Sequence, residues 1–360
     1  MIKPRRLQSG DRIAIVSLSS GMLGEPFCSH NIEIGVRRLE SLGLTPVFMP
    51  NARKGIDYLK QHPQKRAEDL KQAFLDDSLQ GILCAIGGDD TYRLLPFLLE
   101  DDAFLGAVRR APKLFSGFSD TTVNHLMFRR LGLQTFYGPS FLCDLGEIAD
   151  EMLPYTKAAF QGYFHDYAEW TIRPSELWYE ERTDFSRAAM GTERVRHRET
   201  HGYELLQGSP VFEGELLGGC LESLSDTLTS ERYPDEGAIC RRYRIFPNRA
   251  EWRGKIMFLE TSEEKPTPER FDRMLSALAQ AGAFDAISGV LFGKPQDEQY
   301  YEAYKPILCK AVNDDRIPIL YNINFGHATP RAALPYGAYA RVDAEQQAIT
   351  FPQRRPGARR

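Results

Sequence analysis

Lys113-Leu114-Phe115-Ser116-Gly117-Phe118-Ser119-Asp120-Thr121-Thr122 is the stretch from which the fold can be read. Its apolar beginning reads as a buried strand that ends on a glycine. Val123, Leu126, Met127 and Leu131 then recur near helical spacing. Ser119 therefore falls where a strand turns sharply into a helix. A turn of that kind holds a hydroxyl at the carboxyl edge of a sheet, beside the free N–H groups of the first helical turn. Those N–H groups and the helix dipole suit a developing negative charge. The plainer reading is that Ser119 only caps the helix. Nor is this the G-x-S-x-G elbow, because Thr121 stands where the second glycine belongs. A chemical role for Ser119 needs partners from elsewhere in the chain.

Working toward the N-terminus, the same strand-then-helix rhythm repeats. Arg12 to Leu18 reads as a strand, followed by the small polar loop Ser19-Ser20-Gly21 and a helix with Ile32, Val36 and Leu39 on one face. Thr45 to Met49 is a second strand, and Ala67, Leu70, Ala73 and Phe74 mark a second helix. Gly81 to Ile86 is a third strand ending in Gly87-Gly88-Asp89-Asp90, and the helix after it meets Pro96, which should kink or shorten it. Beyond Ser119, Thr135 to Pro139 gives a fifth strand and a turn. Such alternation predicts an α/β fold with a doubly wound, mostly parallel sheet. Ligands of these sheets bind beyond the carboxyl ends of the strands. Three loops meet there: residues 17–21, 87–90 and 117–120. Gly87-Gly88 is either a turn that needs positive φ or a close backbone approach to a ligand. It is neither a P-loop nor a Rossmann fingerprint, since both the Gly-Lys-Ser/Thr ending and G-x-G-x-x-G are missing.

A chain of 360 residues is long for one core. The spacing divides it into an N-terminal α/β domain over 1–160, a linker or excursion over 161–208, a smaller α/β domain over 209–352 and a basic tail over 353–360. The excursion is charged and aromatic with little periodicity. Trp170, Trp178 and Tyr179 within it either pack against a domain face or wall a ligand cleft. Within the second domain, Val211 to Leu217 alternates as a strand before Gly218-Gly219, and Ile256 to Leu259 is a strand ending at Glu260. Thr267-Pro268-Glu269 caps a helix with the face Phe271, Met274, Leu275 and Leu278. Strands at 287–292 and 317–323, a helix at 303–312 and alternating runs from Tyr339 to Phe351 complete it.

Composition narrows the class. Apolar content of 42%, charge of 26% and a net charge of -4 describe an ordinary globular protein, not a dedicated nucleic-acid binder. No apolar run approaches the ~20 residues that span a bilayer, and residues 1–10 lack the apolar core of a signal peptide. The six cysteines are scattered without C-x-x-C, which fits small core residues in a reducing compartment. The seven histidines show no H-x-x-x-H or H-E-x-x-H spacing, so no metal site and no cofactor is expected.

Two further polar residues end strands. Glu260 closes Met257-Phe258-Leu259, and a carboxylate there is either structural or part of a site. His327 follows Asn324-Phe325-Gly326 and precedes turns at Pro330 and Pro335, a position open to an ordinary loop histidine as well as to a base. Ser119, Glu260 and His327 could converge across a cleft between domains as a Ser-His-Glu hydrolase site.

Taken together, the motifs resemble those of the S66 serine peptidases, the LD-carboxypeptidases and microcin C self-immunity proteins. The resemblance runs through Gly10 to Val16, Ile86 to Asp90, Gly117 to Thr122, Thr135 to Pro139, Leu217-Gly218-Gly219, Phe258-Leu259-Glu260 and Phe325 to Gly337, in family order. It implies Ser119 as nucleophile, His327 as general base, Glu260 as its orienter, and an oxyanion hole from the N–H groups of Gly88 and Asp120. It further implies a metal-free cytoplasmic homodimer with a two-domain α/β fold and a cleft between the domains. The implied default reaction removes a terminal D-amino acid from a murein tetrapeptide. The alternative is hydrolysis of a peptidyl or aminoacyl nucleotide, and the alternative of another class is a ligand-binding protein that kept only the fold. Cys220 and Thr261 depart from the family pattern, which commonly has Asn and an acidic residue there. The aromatic excursion looks more like the microcin-immunity branch.

Overall fold

Sixteen strands in three sheets make up the described part of the chain, residues 1–352 of a computed structural model. The basic tail expected at 353–360 lies outside the described residues. The first five strands are β1 (Arg12–Val16), β2 (Thr45–Phe48), β3 (Leu79–Cys84), β4 (Leu114–Gly117) and β5 (Thr135–Tyr137). Next come β6 (Thr171–Ile172), β7 (Leu177–Tyr179), β8 (Arg196–Arg198), β9 (Glu204–Gln207), β10 (Val211–Cys220) and β11 (Lys255–Glu260). The last five are β12 (Gly289–Gly293), β13 (Ile319–Ile323), β14 (Leu334–Tyr336), β15 (Tyr339–Asp343) and β16 (Ala348–Thr350).

The first sheet has the order β14-β5-β4-β3-β1-β2. Its five N-terminal strands run parallel, as the alternation of strands and helices predicts. β3 and β4 are buried at nearly every position, the mark of a sheet covered on both faces. The second sheet has the order β6-β16-β15-β10-β11-β12-β13-β9, with β10 to β13 parallel and antiparallel strands at both edges. Both sheets are therefore α/β layers, and the second is the wider.

Three local features differ from the sequence reading. Pro96 does not kink a helix. A 3-10 turn at Thr91–Leu94 leads into the helix Leu95–Leu99, and Pro96 sits in its first turn, where a missing N–H costs nothing. The excursion is not irregular either. β6 and β9 extend the two edges of the second sheet, while β7 and β8 form a separate hairpin. Strands of two to four residues offer too few positions for a period of two to show. The excursion is also pinned to the first unit, where buried Glu147 receives Arg182 at 2.8 Å and Arg194 at 2.6 Å. Finally, β14 comes from beyond residue 330 yet pairs antiparallel with β5 in the first sheet.

The strand ends converge. β4 ends before Ser119, β11 ends on Glu260, and β13 leads into the loop that carries His327. Register between β10 and β11 sets Cys220 opposite Glu260. Thr122, in the helix after Ser119, joins the halves: its hydroxyl donates to Ser119 O at 2.7 Å and accepts from Cys220 N at 3.0 Å.

Candidate active site

Ser119 has φ +66°, the left-handed region that side chains other than glycine rarely adopt. Strain of this kind, placed between a strand and a helix, projects the hydroxyl off the sheet edge. The backbone of the neighbouring loop leaves room for it. A Cβ on Gly87 would lie 2.7 Å from Ser119 Cβ, so only glycine fits there. The Ser119 N–H donates to the Tyr137 hydroxyl at 3.0 Å, and that hydroxyl donates to Glu260 Oε1 at 2.5 Å. One tyrosine on β5 thus ties the turn to the carboxylate across the cleft.

His327 completes a line of hydrogen bonds. Its Nε2 lies 3.0 Å from Ser119 Oγ, and its Nδ1 lies 2.7 Å from Glu260 Oε2, which also accepts the His327 backbone N–H at 3.1 Å. The imidazole is buried and meets the Phe118 ring edge-on at 5.1 Å. Gly326 makes the approach possible. It has φ +83°, and a Cβ there would sit 2.3 Å from Glu260 Cγ. Arg331 braces the loop by donating to Gly326 O at 2.7 Å and His327 O at 3.0 Å, and it is itself paired with Asp144 at 2.6 Å.

A second carboxylate reaches the same ring. Glu263 Oε2 lies 3.0 Å from His327 Nε2, the nitrogen that faces Ser119. Burial would lower the histidine, but Glu260 and Glu263 together raise it to about 10. Glu263 is held down at about 2, chiefly by its bond to His327. In this arrangement the ring keeps its proton, and Nε2 is free to accept one from Ser119 only when Glu263 moves aside.

Gly88 and Asp120 line the same cavity as Ser119. Gly88 has φ +150°, and a Cβ there would strike Ser19 Oγ at 2.3 Å. The Ser19 hydroxyl accepts from Asp89 N at 2.9 Å and Asp90 N at 3.2 Å. Behind it, fully buried Arg66 donates to Leu18 O, Ser19 O and both Asp90 oxygens. This clamp fixes the 87–90 loop, and sequence spacing gives no sign of it. His125 works similarly beneath the turn, bonding Thr135 Oγ1 at 2.7 Å and Gly117 O at 2.9 Å, and burial lowers it to about 4.

The three aromatic residues expected at the cleft separate. Trp170 packs against Phe136, Tyr163 and Tyr167. Phe136 and Tyr137 point to opposite faces of β5, so Trp170 lies on the face away from Glu260. Tyr179 is brought near, with its N–H donating to Thr329 O at 2.9 Å, two residues past His327. Trp178 lies in the same hairpin, stacked on His197 at 4.2 Å with the Lys294 ammonium 5.1 Å from its ring centre.

Among the described residues, one trio places candidate metal-ligand atoms within 4.8 Å of one another: Cys220, Glu260 and His327. These atoms are already committed. Glu260 and His327 bind each other, and the Cys220 thiol donates to Glu222 Oε2 at 3.4 Å. Burial, with Glu222 and Glu260 nearby, pushes that thiol well above its ordinary value, so it is a poor thiolate ligand. What the arrangement can do without a metal is pass a proton from a hydroxyl to a ring whose far nitrogen is held by a carboxylate.

A model of the LD-carboxypeptidase N-terminal domain matches residues 13–138, and one of the C-terminal domain matches residues 213–342. The chain belongs to the LD-carboxypeptidase family of peptidases. Among its relatives is a protein of Bacillus subtilis named "Probable murein peptide carboxypeptidase", 28% identical over 96% of this chain and 93% of that one. The microcin C7 self-immunity protein of Escherichia coli is 24% identical over 88% of this chain and 86% of its own. In three dimensions the chain is similar to an MccF-like protein from Streptococcus pneumoniae, solved in complex with AMP. That match is 53% identical, has a TM-score of 0.91 and covers 95% of this chain and 98% of the other. The two-domain α/β architecture expected from the sequence is the architecture of the family.

Proposed function

We propose that the protein is a metal-free serine hydrolase that cleaves an amide bond in an aminoacyl or peptidyl nucleotide. The hydrogen-bonded line Ser119–His327–Glu260 supports the reaction. In it, Ser119 Oγ attacks the carbonyl, His327 Nε2 takes the proton and hands it to the leaving amine, and water activated by the same nitrogen then hydrolyses the acyl ester left on Ser119. Glu260 holds the ring through Nδ1 and stabilises the imidazolium that forms. The N–H groups of Gly88 and Asp120 receive the oxyanion. Glu263 Oε2 lies 3.0 Å from Nε2, so it has to swing away before Nε2 can take the Ser119 proton.

The nucleotide is favoured by the AMP complex of the 53% identical protein. The hairpin bearing Trp178 and Tyr179 beside the His327 loop supports it further. A second reading, release of a terminal D-amino acid from a murein tetrapeptide, is favoured by the name of the 28% identical relative. Assembly as a cytoplasmic homodimer belongs to the same proposal, and sedimentation velocity reads the assembly.

The test is turnover of both substrate types by the purified protein. Ser119→Ala is expected to lower turnover by several orders of magnitude while circular dichroism stays unchanged. A Ser119→Ala protein that keeps near wild-type activity would overturn the mechanism. Turnover of the tetrapeptide alone would reverse the order of the two substrates.

A further inference from the structure

The cavity beside Ser119 is far more acidic than the reaction requires. Seven of its thirteen lining residues are carboxylates and one, Arg232, is cationic. That single cation is already used, because it bonds Glu264 and lies 3.7 Å from Asp226. Six of the acids have partners: Asp120 accepts Thr91 N at 2.9 Å, Glu222 accepts the Ser262 N–H and hydroxyl at 2.9 and 2.6 Å, Asp89 accepts the Tyr233 hydroxyl at 3.0 Å, Glu263 faces His327, Glu264 bonds Arg232 and Arg270, and Asp226 lies beside Arg232. Glu236 is not satisfied. It is only 2% exposed, and its Oε2 has no hydrogen-bond partner among the described residues.

A buried carboxylate oxygen without a donor costs free energy unless something else supplies a proton or a charge. The surrounding groups worsen its position. Burial first, then Asp120 and Asp226, raise Glu236 to about 9, and Arg232 only partly opposes them. Asp226 itself is raised to about 6, mainly by burial. Glu236 therefore holds its proton at neutral pH, and a cation entering beside it would let that proton go.

We infer that this cavity is a subsite for a primary ammonium group on the residue whose carbonyl Ser119 attacks. The inference rests on the hydrolase reading of Ser119 and names the acyl side of its substrate. The space beside these acids, about 20 Å³, suffices for one water- or ammonium-sized head. Spacing selects against a metal ion. No three acidic groups of the cavity bring candidate ligand atoms within 4.8 Å of one another among the described residues, whereas an ammonium can be held by one or two carboxylates with water on its remaining donors. Cys220 fits the same picture, since its thiol offers no positive charge and its one recorded donor bond goes to Glu222. The ammonium is either the α-amine of the acyl residue or the end of a lysine-like side chain.

The experiment is calorimetric titration of the Ser119→Ala protein at neutral pH with lysinamide, norleucinamide and Nα-acetylnorleucinamide. At least one of the two ammonium-bearing probes is expected to bind tenfold or more tightly than the acetylated one. Tight binding of norleucinamide assigns the α-amine, and tight binding of lysinamide alone assigns the side chain. Glu236→Gln and Asp226→Asn should each reduce the preference to within about threefold, with circular dichroism confirming the fold. Equal binding of all three probes, no binding of any, or a preference untouched by both variants overturns the inference. So does displacement of lysinamide by magnesium alone, which would make this a metal site. Labelling of wild-type Ser119 by a fluorophosphonate is read separately. Its absence would sink the hydrolase reading and leave the ammonium result standing.

Discussion

Ser119, Gly326 and Glu263 each show how one residue decides what the site can do. Gly326 answers two demands, a positive φ and a 2.3 Å approach to Glu260 that no Cβ survives. Gly326→Ala is expected to lose about 1–3 kcal/mol of stability and to lower kcat by pushing Glu260 off His327. Urea unfolding and steady-state kinetics read both, and wild-type values for both would refute the assignment. Glu263 governs pH. The folded His327 sits at about 10, above its unfolded 6.5, because two carboxylates outweigh its burial. Its stabilising contribution is therefore full below about pH 6.5 and is lost as pH rises through about 10. For activity the sign reverses, since the base must be neutral. Glu263 is more than half exposed, so water weakens its hold on the ring. Glu263→Gln should move the acid limb of kcat/KM to lower pH, with the fall at acid pH itself retained because Glu260 still holds the ring. An unmoved limb would mean that Glu263 already stands clear of the ring in solution.

At the scale of elements, the sequence showed the strand ends well and the short edge pieces badly. Ser119, Glu260 and His327 were legible because each closes an apolar run, and a polar residue in that position is conspicuous. Tyr137 was not, although it bonds both Ser119 N and Glu260, because an aromatic residue in a strand reads as core. The Arg66–Asp90 clamp was hidden for another reason. Its partners are 24 residues apart on different elements, and only the fold makes them neighbours. The excursion shows both outcomes at once. Trp170 packs behind β5, while the β7–β8 hairpin lies against the backbone of Thr329. Stacking of a base on an aromatic ring contributes roughly 1–3 kcal/mol. Trp178→Ala is therefore expected to raise KM for an aminoacyl nucleotide about tenfold, with little change for a tetrapeptide. Equal effects on both substrates would assign the hairpin to packing. Trp170→Ala serves as the contrast, expected to lower stability more than it changes KM.

On the scale of the whole molecule, the two sheets do not behave as separate bodies. β14 reaches back to pair with β5, so the first sheet is completed by residues that follow the second. Side chains cross the same seam. Tyr137 meets Phe258 at 5.3 Å, Phe258 meets Tyr336 at 5.4 Å, and Tyr336 stacks on His125 at 5.2 Å directly beneath the Ser119 turn. All four residues are buried. Removing either half would strip the edge of β5 of its partner and leave these rings, the Tyr137 hydroxyl and the Glu260 carboxylate exposed or unpaired. The candidate site is built across this seam, so the proposed triad requires the seam to be rigid. Thermal unfolding should then be a single cooperative transition, coincident by circular dichroism and by tryptophan fluorescence. All three tryptophans, at 170, 178 and 252, lie outside the first sheet's N-terminal strands. Trp252, just before β11, reports on the second sheet and Trp170 also senses β5 through Phe136, while circular dichroism averages over both sheets. Two separated transitions, or a fragment of residues 1–160 that folds alone, would show that the halves are held together more weakly than the shared strand implies.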